Sequence, residues 1–85
     1  MAVVRLPSLL AREAGGQQQF DVDAATLADA LRALPVADLC LDEHGGLRRL
    51  VNVFVDGDDV RHGDGLATPL SEESQVLVVT AISGG

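Results

Sequence analysis

The sequence predicts an α+β domain in which a mixed sheet carries one main helix and a short second helix on one face. Three observations predict it. β-branched runs lie near both ends of the 85-residue chain, apolar residues at helical spacing lie between them, and no second set of such elements follows. A chain of this length buries roughly 60 to 65% of its unfolded surface, enough for one core and too little for a large substrate pocket. With Phe20 and Phe54 as the two aromatic residues, that core has to be built from Val, Leu and Ala.

Ala2-Val3-Val4-Arg5-Leu6 reads as a strand that Pro7 ends by removing a backbone donor. Ser8 to Ala14 suggests a short helical turn, and Gly15-Gly16 punctuates the chain before Gln18-Gln19-Phe20-Asp21-Val22 alternates again. The two runs are expected to pair antiparallel. Thr26 then stands as an N-cap before Leu27, Ala30, Leu31 and Leu34, with Asp29 in the first turn and Pro35 as the stop. Ala37, Leu39, Cys40 and Leu41 make the shorter second helix before Gly45-Gly46.

Val51-Asn52-Val53-Phe54-Val55 is a β-branched run closed by Asp56-Gly57, a hairpin signal, after which Asp59-Val60-Arg61 is expected to resume as a short strand. Leu66 to Leu70 is apolar but interrupted by Pro69. Gln75-Val76-Leu77-Val78-Val79-Thr80 is the last strand. Strands grouped at both ends around one main helix are the pattern of a β-grasp, whose first and last strands lie side by side and parallel. Residues 1–80 are read as this domain and 81–85 as a flexible tail.

Thirteen acidic residues against six basic ones give a net charge of −7, which opposes nucleic acid and anionic lipid and favours a basic protein partner. All six basic residues are Arg, so no lysine amine is offered for Schiff-base or isopeptide chemistry. No apolar run approaches a membrane span, the N-terminal residues lack a signal-peptide layout, and one cysteine forms no internal disulfide, so a cytoplasmic setting is expected. The chain is expected to be a monomer when free.

Candidate chemistry inside the domain is sparse. Cys40 sits among apolar neighbours and reads as a small buried hydrophobe. His44 and His62 have no partner at metal-ligand spacing, and Asp56, Asp58, Asp59 and Asp64 lack the ordered ligand pattern of a calcium loop. Gly63-Asp64-Gly65 lacks the residues that complete a phosphate-binding loop. No metal and no bound cofactor are expected.

Gly84-Gly85 survives this elimination. At an average glycine frequency of about 7%, glycine at both of two given positions arises by chance roughly once in two hundred times. The tail Ala81-Ile82-Ser83-Gly84-Gly85 can reach about 15 Å beyond the last strand, and residues without a Cβ can thread a narrow channel. Gly85 is therefore the candidate working end, with Gly84, Ser83 and Ile82 as the threading residues. Strand parity adds a surface. Asn52 and Gln75 mark the solvent-facing registers, and Phe54, Leu77 and Val79 share those registers, which makes these three a candidate partner-binding face.

With its Gly84-Gly85 end and its Val51-Asn52-Val53-Phe54-Val55-Asp56 strand and turn, the chain resembles the MoaD/ThiS family of ubiquitin-like sulfur carriers. Val51-Asn52-Val53, Asp59-Val60-Arg61 and Gly65-Leu66-Ala67-Thr68 are most similar to the carrier that feeds an actinobacterial cysteine synthase. The resemblance implies a β-grasp fold and a non-enzyme that serves as a protein co-substrate. It also implies activation at Gly85 by a MoeB/ThiF-like adenylating enzyme using ATP and magnesium, conversion to a thiocarboxylate, and sulfur delivery to a separate synthase. Three alternatives stay open: the small subunit of molybdopterin synthase, a protein modifier conjugated through Gly85, and a plain ubiquitin-like binding module whose tail does nothing. The first is weakened by the absence of a Pro-rich, aromatic approach to the tail and by Glu73-Ser74 where that family usually has Gly-Asp.

Overall fold

The structure, a computed structural model, describes residues 1–80. Strand β1 (Ala2–Arg5) leads through Pro7 into helix α1 (Ser8–Glu13), and the chain turns back through Gly15 and Gly16, both at positive φ, into β2 (Gln19–Val22). β2 pairs antiparallel with β1 in the expected way, Val4 opposite Phe20. Thr26 caps α2 (Leu27–Arg32) by accepting from the Asp29 amide at 3.3 Å. Helix α3 (Ala37–Cys40) follows after Pro35.

Strand β3 (Val51–Val55) enters a two-residue turn in which Asp56 and Gly57 both take positive φ. Such a turn matches the right-handed twist of a hairpin, and β4 (Asp58–Asp59) returns beside β3 with Val55 opposite Asp58. The expected strand at Asp59-Val60-Arg61 is displaced: it ends at Asp59, and Val60–His62 is a 3-10 turn. Two local facts explain this. The Asp59 carboxylate accepts from the Arg61 amide at 2.9 Å, which curls the chain, and Val60 is buried in the core. A second 3-10 turn, Gly65–Ala67, precedes β5 (Gln75–Thr80).

The sheet order is β2-β1-β5-β3-β4. β5 lies between β1, to which it runs parallel, and β3, to which it runs antiparallel. Alternate residues of β1, β3 and β5 (Ala2 and Val4; Val51, Val53 and Val55; Val76 and Val78) are buried together with Leu10, Leu27, Ala30, Leu31 and Leu34 from the helical segments. Each fully buried Val or Leu contributes about 1.5 to 3 kcal/mol relative to exposure, so the register of β5 is set by which face its valines occupy. The opposite registers are left for solvent.

Candidate functional site

β5 and β3 set out the open face. Leu77 stands opposite Phe54 and Val79 opposite Asn52, both across the β3–β5 ladder. Leu77 is 45% exposed, while Phe54 and Val79 are half-buried. Arg5 is in parallel register with Leu77, and Arg5, Phe54, Gly57, Gln75 and Leu77 line a shallow hollow of about 330 Å³. The geometry thus brings Phe54, Leu77 and Val79 onto one face, as the parity of the strands requires. It adds Arg5, which strand parity within β3 and β5 could not reveal, because its place depends on the parallel β1–β5 pairing.

The last described residue, Thr80, pairs with Val51 at the start of β3. Ile82, Ser83, Gly84 and Gly85 lie outside the described residues. The ground beside Thr80 is held by Arg61. Its guanidinium donates to the carbonyls of Val51 and Arg48, the latter at 2.7 Å. Asp59 in turn accepts from Asn52 Nδ2 at 3.0 Å and from the Arg61 amide, so Asn52, Asp59 and Arg61 form one chain of hydrogen bonds across β3 and β4. The Asn52 side-chain bond, then the Arg61 amide bond, hold the Asp59 carboxyl below its usual range. This network joins residues from different elements and has no periodic signature in the sequence.

Two other carboxylates are held by backbone amides. Asp56 accepts from the Gln75 amide at 2.9 Å, and Asp42 accepts from the amides of His44 and Gly46, each at 2.9 Å, which lowers its pKa. Among the described residues no group of three His, Cys, Asp or Glu is placed to hold a metal ion. Cys40 is fully buried, and burial, with a smaller contribution from the Asp38 charge, pushes its thiol up to about 11. It has the character of a packed apolar residue, not a sulfur nucleophile. No helix among the described residues is long and apolar enough to cross a membrane.

A family model described as the ThiS family matches residues 4–85. The chain belongs to the ThiS family. Among individual relatives, the sulfur carrier protein CysO of Mycobacterium tuberculosis is 30% identical over 89 residues, a match covering 96% of each chain. A crystal structure of M. tuberculosis CysO superposes with a TM-score of 0.86 at 28% identity, covering 96% of this chain and all of that one. The crystal structure of the Amycolatopsis orientalis BexX/CysO complex gives 0.85 at 25% identity over the full length of both chains. SAMP1 from Haloferax volcanii gives 0.76 at 27% identity, covering 99% of this chain and 98% of that one. The ThiS-family chain is thus a ubiquitin-like β-grasp protein and a sulfur carrier of the CysO type.

Proposed function

We propose that this protein carries sulfur as a thiocarboxylate on Gly85, loaded by an adenylating enzyme and donated to a synthase that makes cysteine or another sulfur metabolite in the cytoplasm. The observation that carries the reading is the family match, which runs through Gly84-Gly85. It is supported by β5, which is paired with β1 through Leu77 and with β3 through Thr80. Residues 81–85 act as a tail on the 1–80 domain, with Ile82, Ser83 and Gly84 threading the partner's channel.

A carboxylate is inert toward nucleophiles because its leaving group is poor. In the proposed sequence a MoeB/ThiF-like enzyme holds ATP and magnesium. A Gly85 carboxylate oxygen attacks the α-phosphorus, releasing pyrophosphate and leaving an acyl-adenylate. Hydrosulfide then adds to the acyl carbon and AMP departs, so the C–O bond to phosphate is exchanged for a C–S bond with no net oxidation. The carrier supplies the acyl end and its docking face, Phe54, Leu77 and Val79. It supplies no acid, base or metal.

The test is ATP–pyrophosphate exchange with a purified adenylating enzyme, followed by intact mass after addition of sulfide. The native chain should support exchange and gain the mass difference between sulfur and oxygen at Gly85. Deleting Gly85, or adding one residue after it, should abolish both. Full exchange by the deleted form would sink the proposal. The likeness to SAMP1 keeps a second reading in view, conjugation through Gly85 to amines of other proteins; high-mass conjugates in cells, in place of free thiocarboxylate, would favour it.

A further inference from the structure

Two Asp-Gly pairs occur in the chain, Asp56-Gly57 and Asp64-Gly65. Such a pair is chemically weak, because the glycine amide nitrogen can attack the carboxyl carbon of the preceding side chain and no Cβ obstructs its approach. Both aspartates are exposed. Both glycines take positive φ, and a Cβ built on either would meet no atom within 4 Å beyond its own chain neighbours, so open space does not tell the two pairs apart. Hydrogen bonding does. Asp56 is tied at two points to Gln75: its amide donates to the Gln75 carbonyl at 2.8 Å, and its Oδ1 accepts from the Gln75 amide at 2.9 Å. Main chain and side chain are thus both fixed against β5, and the pairing of Val55 with Asp58 holds the turn from its other side.

Asp64 is held far less. It stands between Gly63 and Gly65, and among the described residues its carboxylate accepts no hydrogen bond and the Gly65 amide donates none. What ties it is its carbonyl, which accepts from the Ala67 amide at 3.1 Å and so opens the Gly65–Ala67 turn. That turn is joined to α2. Thr68 donates its hydroxyl to the Gly65 carbonyl at 2.6 Å, and the Thr68 carbonyl accepts from the amide of Leu27, the first residue of α2, at 2.9 Å.

We propose that Asp64-Gly65 is a site of spontaneous isomerisation at which the folded chain ages, while Asp56-Gly57 is protected by its bonds to Gln75. The Gly65 nitrogen bonds to the carboxyl carbon of protonated Asp64, and the acid's hydroxyl leaves with the amide proton as water, closing a cyclic imide. Water then adds to either imide carbonyl. Opening on one side returns aspartate; opening on the other leaves the main chain running through the side-chain carbon and the former main-chain carbonyl as a free carboxylate. Nothing is oxidised, and the charge is unchanged. Reaching the imide at Asp64 costs the bond to Ala67, whereas at Asp56 it costs both bonds to Gln75 and strains a paired hairpin. The isomer carries an extra methylene in the main chain between Asp64 and Gly65, so its carbonyl no longer stands where the Ala67 amide meets it, and the turn that buttresses the start of α2 loosens. The inference is independent of the carrier reading.

The experiment incubates the native chain and Asp64→Glu in heavy-oxygen water at neutral pH, both folded and in urea, and locates the label by peptide mass spectrometry, since each passage through the imide leaves one solvent oxygen in the product. In the folded native chain Asp64 should take up label several-fold faster than Asp56. In urea, where the bonds to Gln75 are gone, the two rates should converge. Asp64→Glu should stay unlabelled at that position, because glutamate would have to close a larger and slower ring, and it should keep its melting temperature through the incubation while that of the native chain falls. Label at Asp56 as fast as at Asp64 in the folded chain, or the same excess at Asp64 in urea, overturns the proposal that the fold selects the site. A native chain that isomerises at Asp64 and melts as before overturns the link to α2.

Discussion

Neighbouring residues of β5 are expected to separate docking from folding. Leu77 is 45% exposed, so little more than half of its side-chain burial is realised in the free protein; Val78, the next residue, is completely buried. With about 2 kcal/mol for burying a leucine, Leu77→Thr should cost about 1 kcal/mol of stability, or roughly 4 to 8 °C in melting temperature for a domain of this size. The exposed remainder contributes about 1 kcal/mol when a partner covers it, so its loss should weaken binding to the adenylating enzyme roughly five- to tenfold. Val78→Ala removes two methyl groups from a closed core and should cost about 2 to 3 kcal/mol through lost transfer energy and the cavity left behind, with affinity unchanged while the chain stays folded. Thermal melts and titration calorimetry on the same samples read both quantities. A Leu77→Thr variant that binds normally but melts as low as Val78→Ala would place Leu77 in the core and remove the proposed face. Phe54, directly across the ladder, should follow Leu77.

Arg61→Met keeps an apolar stem but loses the bonds to Arg48 and Val51, so unfolding by urea should show a loss of about 1 to 2 kcal/mol and amide exchange near Val51 should quicken. Asp59 has a lowered pKa in the folded protein; its contribution is therefore complete above the unfolded value near 3.9 and is lost as pH falls through the lower folded value. Asp59→Asn should flatten the fall in stability below about pH 4, measured by denaturant titration at each pH. An acid limb as steep as that of the native chain would contradict the Asn52–Asp59–Arg61 network. Cys40 should resist alkylation in the folded protein at neutral pH and react once denatured, and Cys40→Ser should still accept sulfur at Gly85. A mass change blocked by that substitution would move the sulfur from the carboxylate to the thiol.

Features with a local signature were legible in the residues. Thr26 as a cap, Asp56-Gly57 as a hairpin turn, and the alternation of Val51-Asn52-Val53-Phe54-Val55 each depend on a few adjacent side chains and the backbone they favour. The sides of Leu77 and Phe54 followed from Gln75 and Asn52 by counting in twos. What could not be seen was contact at long range. Asp59-Val60-Arg61 looked like a strand because a β-branched residue sits between two polar ones, yet Val60 and Arg61 are placed by the core and by the carbonyls of Arg48 and Val51. The partnership of Arg5 with Leu77, and of Val51 with Thr80, exists only after β1 and β3 have taken their places on either side of β5.

That central position makes the proposed docking face a report on the state of the whole chain. Without β5 the sheet falls into two ribbons, β2-β1 and β3-β4, with no ladder hydrogen bonds between them. Phe54 would then have no Leu77 beside it, Arg5 would line no hollow, and Thr80 would not stand next to Val51. An enzyme that grips this surface before admitting the tail checks, in the same contact, that its substrate has finished folding. ATP would not be committed to a peptide that merely ends in two glycines.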